Sequence, residues 1–136
     1  MKKTLLAIAL SGAVLLAGCS VTTPVVTDQT TADDLEWPEV DKTVLDNHEG
    51  TYPTKEALGM LRAGMTKDQL YDLIGRPHFF NGWHPRVWDY VFYFAQDKKS
   101  VVSCQMKVIF DKDERVTHYF WKPVDPYKGA CPAPFH

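Results

Sequence analysis

The side chains with the most definite chemistry in this 136-residue chain are its three cysteines. Cys19 follows Leu16, Ala17 and Gly18, and the four residues match the bacterial lipobox. In that motif the thiol takes a diacylglycerol before a peptidase cuts in front of it. Cys104 and Cys131 then remain as a pair. An even pair in an exported protein reads most simply as one disulfide. Metal ligation and a reactive thiol are the competing readings, and no second Cys or His stands at CxxC-like spacing to support them. Five His residues are present, but His78 and His84 are six apart in a loop-like stretch and His118 lies far along the chain, so no metal set is expected. Asp111-Lys112-Asp113-Glu114 has the acid density of a calcium loop, yet Val116 stands where such a loop requires Gly. A nucleophile elbow, phosphate loop, paired catalytic carboxylates and HExxH are all missing from the sequence. The expectation is therefore a protein that is not an enzyme. It would hold no metal, take no small-molecule substrate, and carry no cofactor beyond the covalent lipid on Cys19.

The segment ahead of Cys19 supports its reading. Lys2 and Lys3 precede a short apolar run over residues 4–16, which is the build of a secretory signal. A membrane span needs about 20 apolar residues, so this run falls short of one. The alternative is an ordinary secreted protein whose Cys lies near a cleavage site by chance. Each acyl methylene buried contributes roughly 0.8 kcal/mol, so a multiply acylated Cys19 would anchor firmly. Ser20, in place of Asp, resembles the enterobacterial sorting signal for the outer membrane. Removing residues 1–18 takes Lys2 and Lys3 and no acid, so the net charge falls from −2 to −4. That balance argues against nucleic acid as a partner.

The elements that must position any functional residue come next. Residues 19–34, rich in Thr and Asp, read as a lipidated flexible tether, and 35–53 as an extended arm containing Trp37-Pro38. The domain proper is expected over residues 54–136. Thr54 suits an N-cap for a helix over 55–62, with Gly64 beyond its end. Thr66 and Gln69 form a capping box for a second helix that presents Leu70, Leu73 and Ile74 on one face. Gly75 and Pro77 end it. Alternation then predicts three strands: 88–94 with Trp88, Tyr90, Phe92 and Phe94 on one face, 102–110 with Cys104, Met106 and Val108 aligned, and 116–122. Tight turns at 96–100 and 111–114 make an antiparallel meander. The fold class is α+β, two short helices packed on a three-stranded antiparallel sheet in the order ααβββ. A Pro-rich tail from Pro123 onward would return Cys131 to Cys104.

Gly64-Met65-Thr66-Lys67-Asp68-Gln69-Leu70, Leu73-Ile74-Gly75-Arg76-Pro77, Trp88-Asp89-Tyr90 and Val108-Ile109-Phe110-Asp111 together resemble the SmpA/OmlA (BamE-like) family of outer-membrane lipoprotein domains. The likeness spans roughly residues 54–122. It implies a lipoprotein on the periplasmic side of the outer membrane, acting as a non-catalytic scaffold in β-barrel protein assembly or envelope integrity. Its partners would be proteins of that machinery, with the membrane held through the lipid. The family's interhelix loop contributes to a partner- and lipid-facing surface, which would carry over to Arg62, Gly64 and Met65. Cys104, Cys131 and the Pro-rich tail depart from the family pattern and look more like a sister group that precedes a peptidoglycan-binding domain. A binding or inhibitor module for a periplasmic or secreted enzyme, or for a cell-wall-associated protein, is the alternative. Separately, the stretch 78–85 holds Phe79, Phe80 and Trp83 between loop-forming Gly and Pro. Those aromatics suit a contact surface with a protein or the lipid headgroups. They equally suit a cap over the sheet edge or the core.

Overall fold

Period-two alternation governs the second half of the chain. The computed structural model describes residues 24–40, 50–80, 85–124 and 131. Strands β1 (Val87–Ala95), β2 (Val101–Phe110) and β3 (Val116–Pro123) form one antiparallel sheet in the order β1-β2-β3. The register sets Tyr90 opposite Met106 and Phe92 opposite Cys104, and Met106 opposite Trp121 on the other side. Each of these side chains therefore meets its neighbours on the same face of the sheet. Carboxylates shape both turns. Asp97 accepts from the N–H groups of Lys99 and Ser100 at 2.7 and 2.8 Å. Asp111 accepts from those of Asp113 and Arg115 at 2.8 and 3.0 Å. These bonds hold both carboxyls below the usual carboxylate range.

Two short helices precede the sheet: α1 (Lys55–Gly59) and α2 (Lys67–Ile74). The capping box of α2 is closed in both directions. Thr66 Oγ1 accepts from the Gln69 N–H at 3.2 Å, and Gln69 Oε1 accepts from the Thr66 N–H at 3.0 Å. Gly75 ends α2 at φ +82°, a conformation L side chains rarely adopt. Helix α1 stops three residues short of the expected 55–62. Beyond Gly59 the bonds tighten, Met60 N–H to Ala57 O and Leu61 N–H to Leu58 O, and the chain leaves the α conformation. Gly costs about 1 kcal/mol in a helix relative to Ala, and so short a helix has few bonds to resist that loss. Leu58 and Leu61 are nonetheless buried in one core with Leu70, Tyr90, Phe92, Met106, Val108 and Phe110. The architecture is α+β: a three-stranded antiparallel sheet with two short helices contributing to its core.

The opposite face of the sheet is covered too. Residues 24–40 lie over it and include a 3-10 turn at Ala32–Asp34. Trp37 sits beneath two ammonium groups, with Lys107 Nζ 5.0 Å and Lys122 Nζ 5.9 Å from its ring. Its Nε1 donates to Ala32 O at 2.7 Å, and Gln105 Nε2 donates to Pro38 O at 2.8 Å. Under this cover Asp89, Gln105 and Lys107 are buried.

The outer edge of β1 is closed by short pieces of chain. Phe79 and Asp89 exchange N–H···O bonds of 3.0 Å in both directions. Thr51 bonds the Val91 O and the Tyr93 N–H at 3.0 and 2.8 Å. Between them the Val91 N–H donates to His78 Nδ1 at 2.9 Å.

Cys104 and Cys131 are joined as a disulfide with their Cα atoms 5.9 Å apart, across a sequence separation of 27. Closing a loop of that length contributes about 3–4 kcal/mol in the chain-entropy model. Guanidinium unfolding of Cys131→Ala beside the wild type should show a loss of that size, and dithiothreitol should reproduce it in the wild type. A loss below about 1 kcal/mol would mean that the cross-link constrains the unfolded chain far less than the model requires.

Candidate partner-binding surfaces

The link between α1 and α2 is held by the third strand. Gly64 takes φ +86°, and its N–H donates to Val116 O at 2.7 Å while the Val116 N–H donates to Met65 O at 2.9 Å. The Arg115 guanidinium donates to Gly64 O at 3.0 Å, and the Tyr119 hydroxyl to Arg62 O at 3.0 Å. Burial pushes the Tyr119 hydroxyl pKa up to about 12, so it remains a donor throughout the physiological range. Lys67 pairs with Glu114 at 2.8 Å, its ammonium 5.2 Å from the Phe110 ring. With its backbone held this way, the loop leaves a groove of about 590 Å³ lined by Met60, Met65 and Leu73 with Arg62, Gln69 and Asp72 around them. Met60 is 51% exposed at the cleft wall. A groove of this make-up can accept an apolar side chain and orient it through a charged rim. Nothing in it is arranged as a nucleophile with a base.

The second expected surface divides. Phe79 is drawn into the edge of β1 and half-buried, whereas Phe80 is 60% exposed. Phe79 thus caps the sheet edge, while Phe80 stays exposed. Trp83 lies outside the described residues, as does Cys19. Phe79 and Phe80 line a separate cleft of about 740 Å³, walled on the other side by Pro24, Leu35, Trp37 and Pro38. Arg62, Gly64 and Met65 belong to the first cleft and the two Phe residues to the second, so the expected contact residues form two surfaces.

On the second cleft's floor is a pair that sequence reasoning did not single out. Lys107 Nζ donates to both oxygens of Asp89, at 2.7 and 2.9 Å, with side-chain exposures of 5% and 10%. Burial pushes the Asp89 carboxyl up, and the Lys107 bonds oppose that shift. A signal was available. Asp89 and Lys107 are equidistant from the 96–100 turn, so hairpin pairing sets them opposite each other. Among the described residues no group of three or more His, Cys, Asp or Glu could hold a metal ion. Nor is any described helix long and apolar enough to cross a membrane.

Two substitutions probe these surfaces. Lys107→Met leaves a buried carboxylate unpaired, and should cost about 3–5 kcal/mol in chemical denaturation. The double variant Asp89→Leu/Lys107→Met should recover most of that loss. A double variant as unstable as the single would show that packing, not charge, dominates there. Gly64→Val should cost about 1–2 kcal/mol in the same assay, because a branched side chain strains at positive φ.

Comparison with known proteins follows this geometry closely. The model of a family described as "Outer membrane protein assembly factor BamE domain" matches residues 50–119, from Gly50 at the β1 edge into β3. A protein named outer membrane protein assembly factor BamE from Polynucleobacter necessarius subsp. necessarius (strain STIR1) is 32% identical over 69 residues, which cover 50% of this chain and 30% of that relative. A second protein of the same name, from Nitrosomonas europaea, is 28% identical over 74 residues, covering 54% of this chain and 44% of the relative. The chain thus spans less than half the length of these curated relatives.

Proposed function

Because this chain belongs to the family of outer membrane protein assembly factor BamE domains, we propose that it is a non-catalytic accessory of outer-membrane β-barrel assembly. The single observation that carries the reading is the family match, which runs from the edge bridge through both helices and into the third strand. Cys19 carries the lipid after removal of residues 1–18, and the domain faces the periplasm from the outer membrane. Its partners are proteins of the assembly machinery. The groove at Arg62, Gly64 and Met65 receives an apolar side chain of one such partner, and Phe80, with Trp83, forms a separate contact with the lipid headgroups. Phe79 contributes by holding that stretch to β1.

The supporting physical argument is division of labour within one loop. Backbone groups of Arg62, Gly64 and Met65 are bonded to β3 and to Arg115 just before it, so the loop keeps its shape without a partner. Met60 is exposed at the cleft wall, while Met65 is half-buried against the core with the Tyr119 hydroxyl on its sulfur at 3.6 Å, and a preorganised apolar site of this kind loses little entropy on binding.

The test is affinity purification from detergent-solubilised membranes, comparing the wild type with Met65→Glu and Cys19→Ser. Barrel-assembly subunits should be recovered with the wild type, reduced at least tenfold by Met65→Glu, and weakened by Cys19→Ser. Recovery of a periplasmic enzyme or of peptidoglycan-linked proteins, with assembly subunits at background, would overturn the reading.

A further inference from the structure

Residues 24–40 do more than cover a sheet face. We propose that they form a strap that seats the domain on the bilayer, with the face around Phe80 and Arg86 turned to the lipid headgroups. This rests on the reading above that Cys19 carries the lipid. The strap is fastened to the sheet through the adjacent Trp37 and Pro38, and its own turn is tied internally. Trp37 lies against the Lys107 and Lys122 ammonium groups, its Nε1 bonds Ala32 O at 2.7 Å, and Pro38 O takes the Gln105 amide at 2.8 Å. Asp34 closes the 3-10 turn by accepting from the Thr31 N–H at 2.7 Å and from the Thr31 hydroxyl at 2.8 Å.

Where the strap begins decides the orientation. Pro24, its first described residue, lines the same cleft as Phe79, Phe80, Pro85 and Arg86. Cys19 is five residues earlier. Five fully extended residues reach at most about 17 Å, so a lipid on Cys19 keeps this end of the domain near the membrane surface. With the strap released, the leash would instead run from Cys19 to Gly50, 31 residues with a typical span of about 30 Å and a fully extended reach near 100 Å. The domain could then turn any face to the bilayer.

The short leash points to lipid as the occupant of this face. At that end Phe80 is 60% exposed and Arg86 is exposed beside it. An aromatic ring and a long cationic side chain together suit the headgroup boundary, where the ring and the aliphatic stem enter apolar surroundings and the guanidinium stays hydrated.

The test uses full-length lipidated protein in vesicles of phosphatidylethanolamine and phosphatidylglycerol. After the native disulfide has formed, an environment-sensitive fluorophore is placed at Phe80→Cys, or at Lys98→Cys on the 96–100 turn as the comparison. Quenching by a lipid-borne nitroxide should be at least threefold stronger at position 80 than at 98. Trp37→Ala should bring the two positions to equality while the protein still floats with the vesicles. Lengthening the leash by ten Gly-Ser residues between Ser20 and Pro24 should do the same without touching the folded domain. Equal quenching at both positions in the wild type would overturn the seat, as would quenching unchanged by both the Trp37→Ala and the leash variants. Failure of the wild type to float with vesicles would instead overturn the lipid anchor itself, before orientation is in question.

Discussion

The register between β1 and β2 is the constraint on which the remaining structure depends. A strand's side chains alternate between faces, so a slip of one residue would exchange the two faces completely. In the observed register Tyr90 and Phe92 meet Met106 and Cys104 on the helix side, while Asp89 meets Lys107 on the other. A slip of β1 would drive the Asp89 carboxylate among Leu58, Leu61 and Leu70 and leave Lys107 buried on the other face without its partner. Unpaired buried charge is among the costliest defects a small domain can carry. The ion pair at the sheet's centre therefore penalises alternatives, whatever its net contribution in the correct fold.

From that register the other elements take their places. Cys104 stands on the central strand, so the disulfide ties Cys131 to it. The outward-pointing groups of Asp89, Val91 and Tyr93 meet Phe79, His78 and Thr51, which close the edge where unpaired backbone would invite association. Gly50 lies so close to this edge that a Cβ would stand 2.7 Å from the Tyr93 ring and 2.9 Å from the Val91 carbonyl oxygen. No larger residue fits there without displacing the strand. The family match begins at this glycine, which is consistent with the edge closure being part of the shared domain.

Two surfaces emerge with different physical characters. At the α1–α2 loop, rigidity comes from bonds to β3 and Arg115, and the cleft wall is made apolar by Met60, Met65 and Leu73. Met side chains adapt to a partner's shape because they are unbranched and polarizable. At the opposite face, the aromatic stretch and residues 24–40 enclose a cleft whose floor is a satisfied ion pair. Among the described residues neither surface presents a nucleophile beside a base. Both suit contact, in keeping with a family described by its role in assembly.

Much of this could be read in the sequence, for reasons tied to particular residues. Thr66, Gln69 and Gly75 identify α2 because caps are local: partners three residues apart meet whatever the rest of the chain does. Alternation in β1 and β2 and the Asp-bearing turns between strands are likewise short-range, and they set the order and direction of all three strands. The end of α1 was less legible, since Gly59 outweighed a continuing apolar pattern by a margin that propensity alone does not resolve. Only the tertiary structure decided what covers the second sheet face. Trp37 reaches Lys107 and Lys122 from 70 and 85 positions away, and no periodicity encodes a contact of that separation. The same holds for Phe79 and Phe80, adjacent in sequence and alike in chemistry. One becomes part of a strand edge and the other faces solvent because β1 has backbone groups to satisfy at Asp89 and none to offer one residue further on.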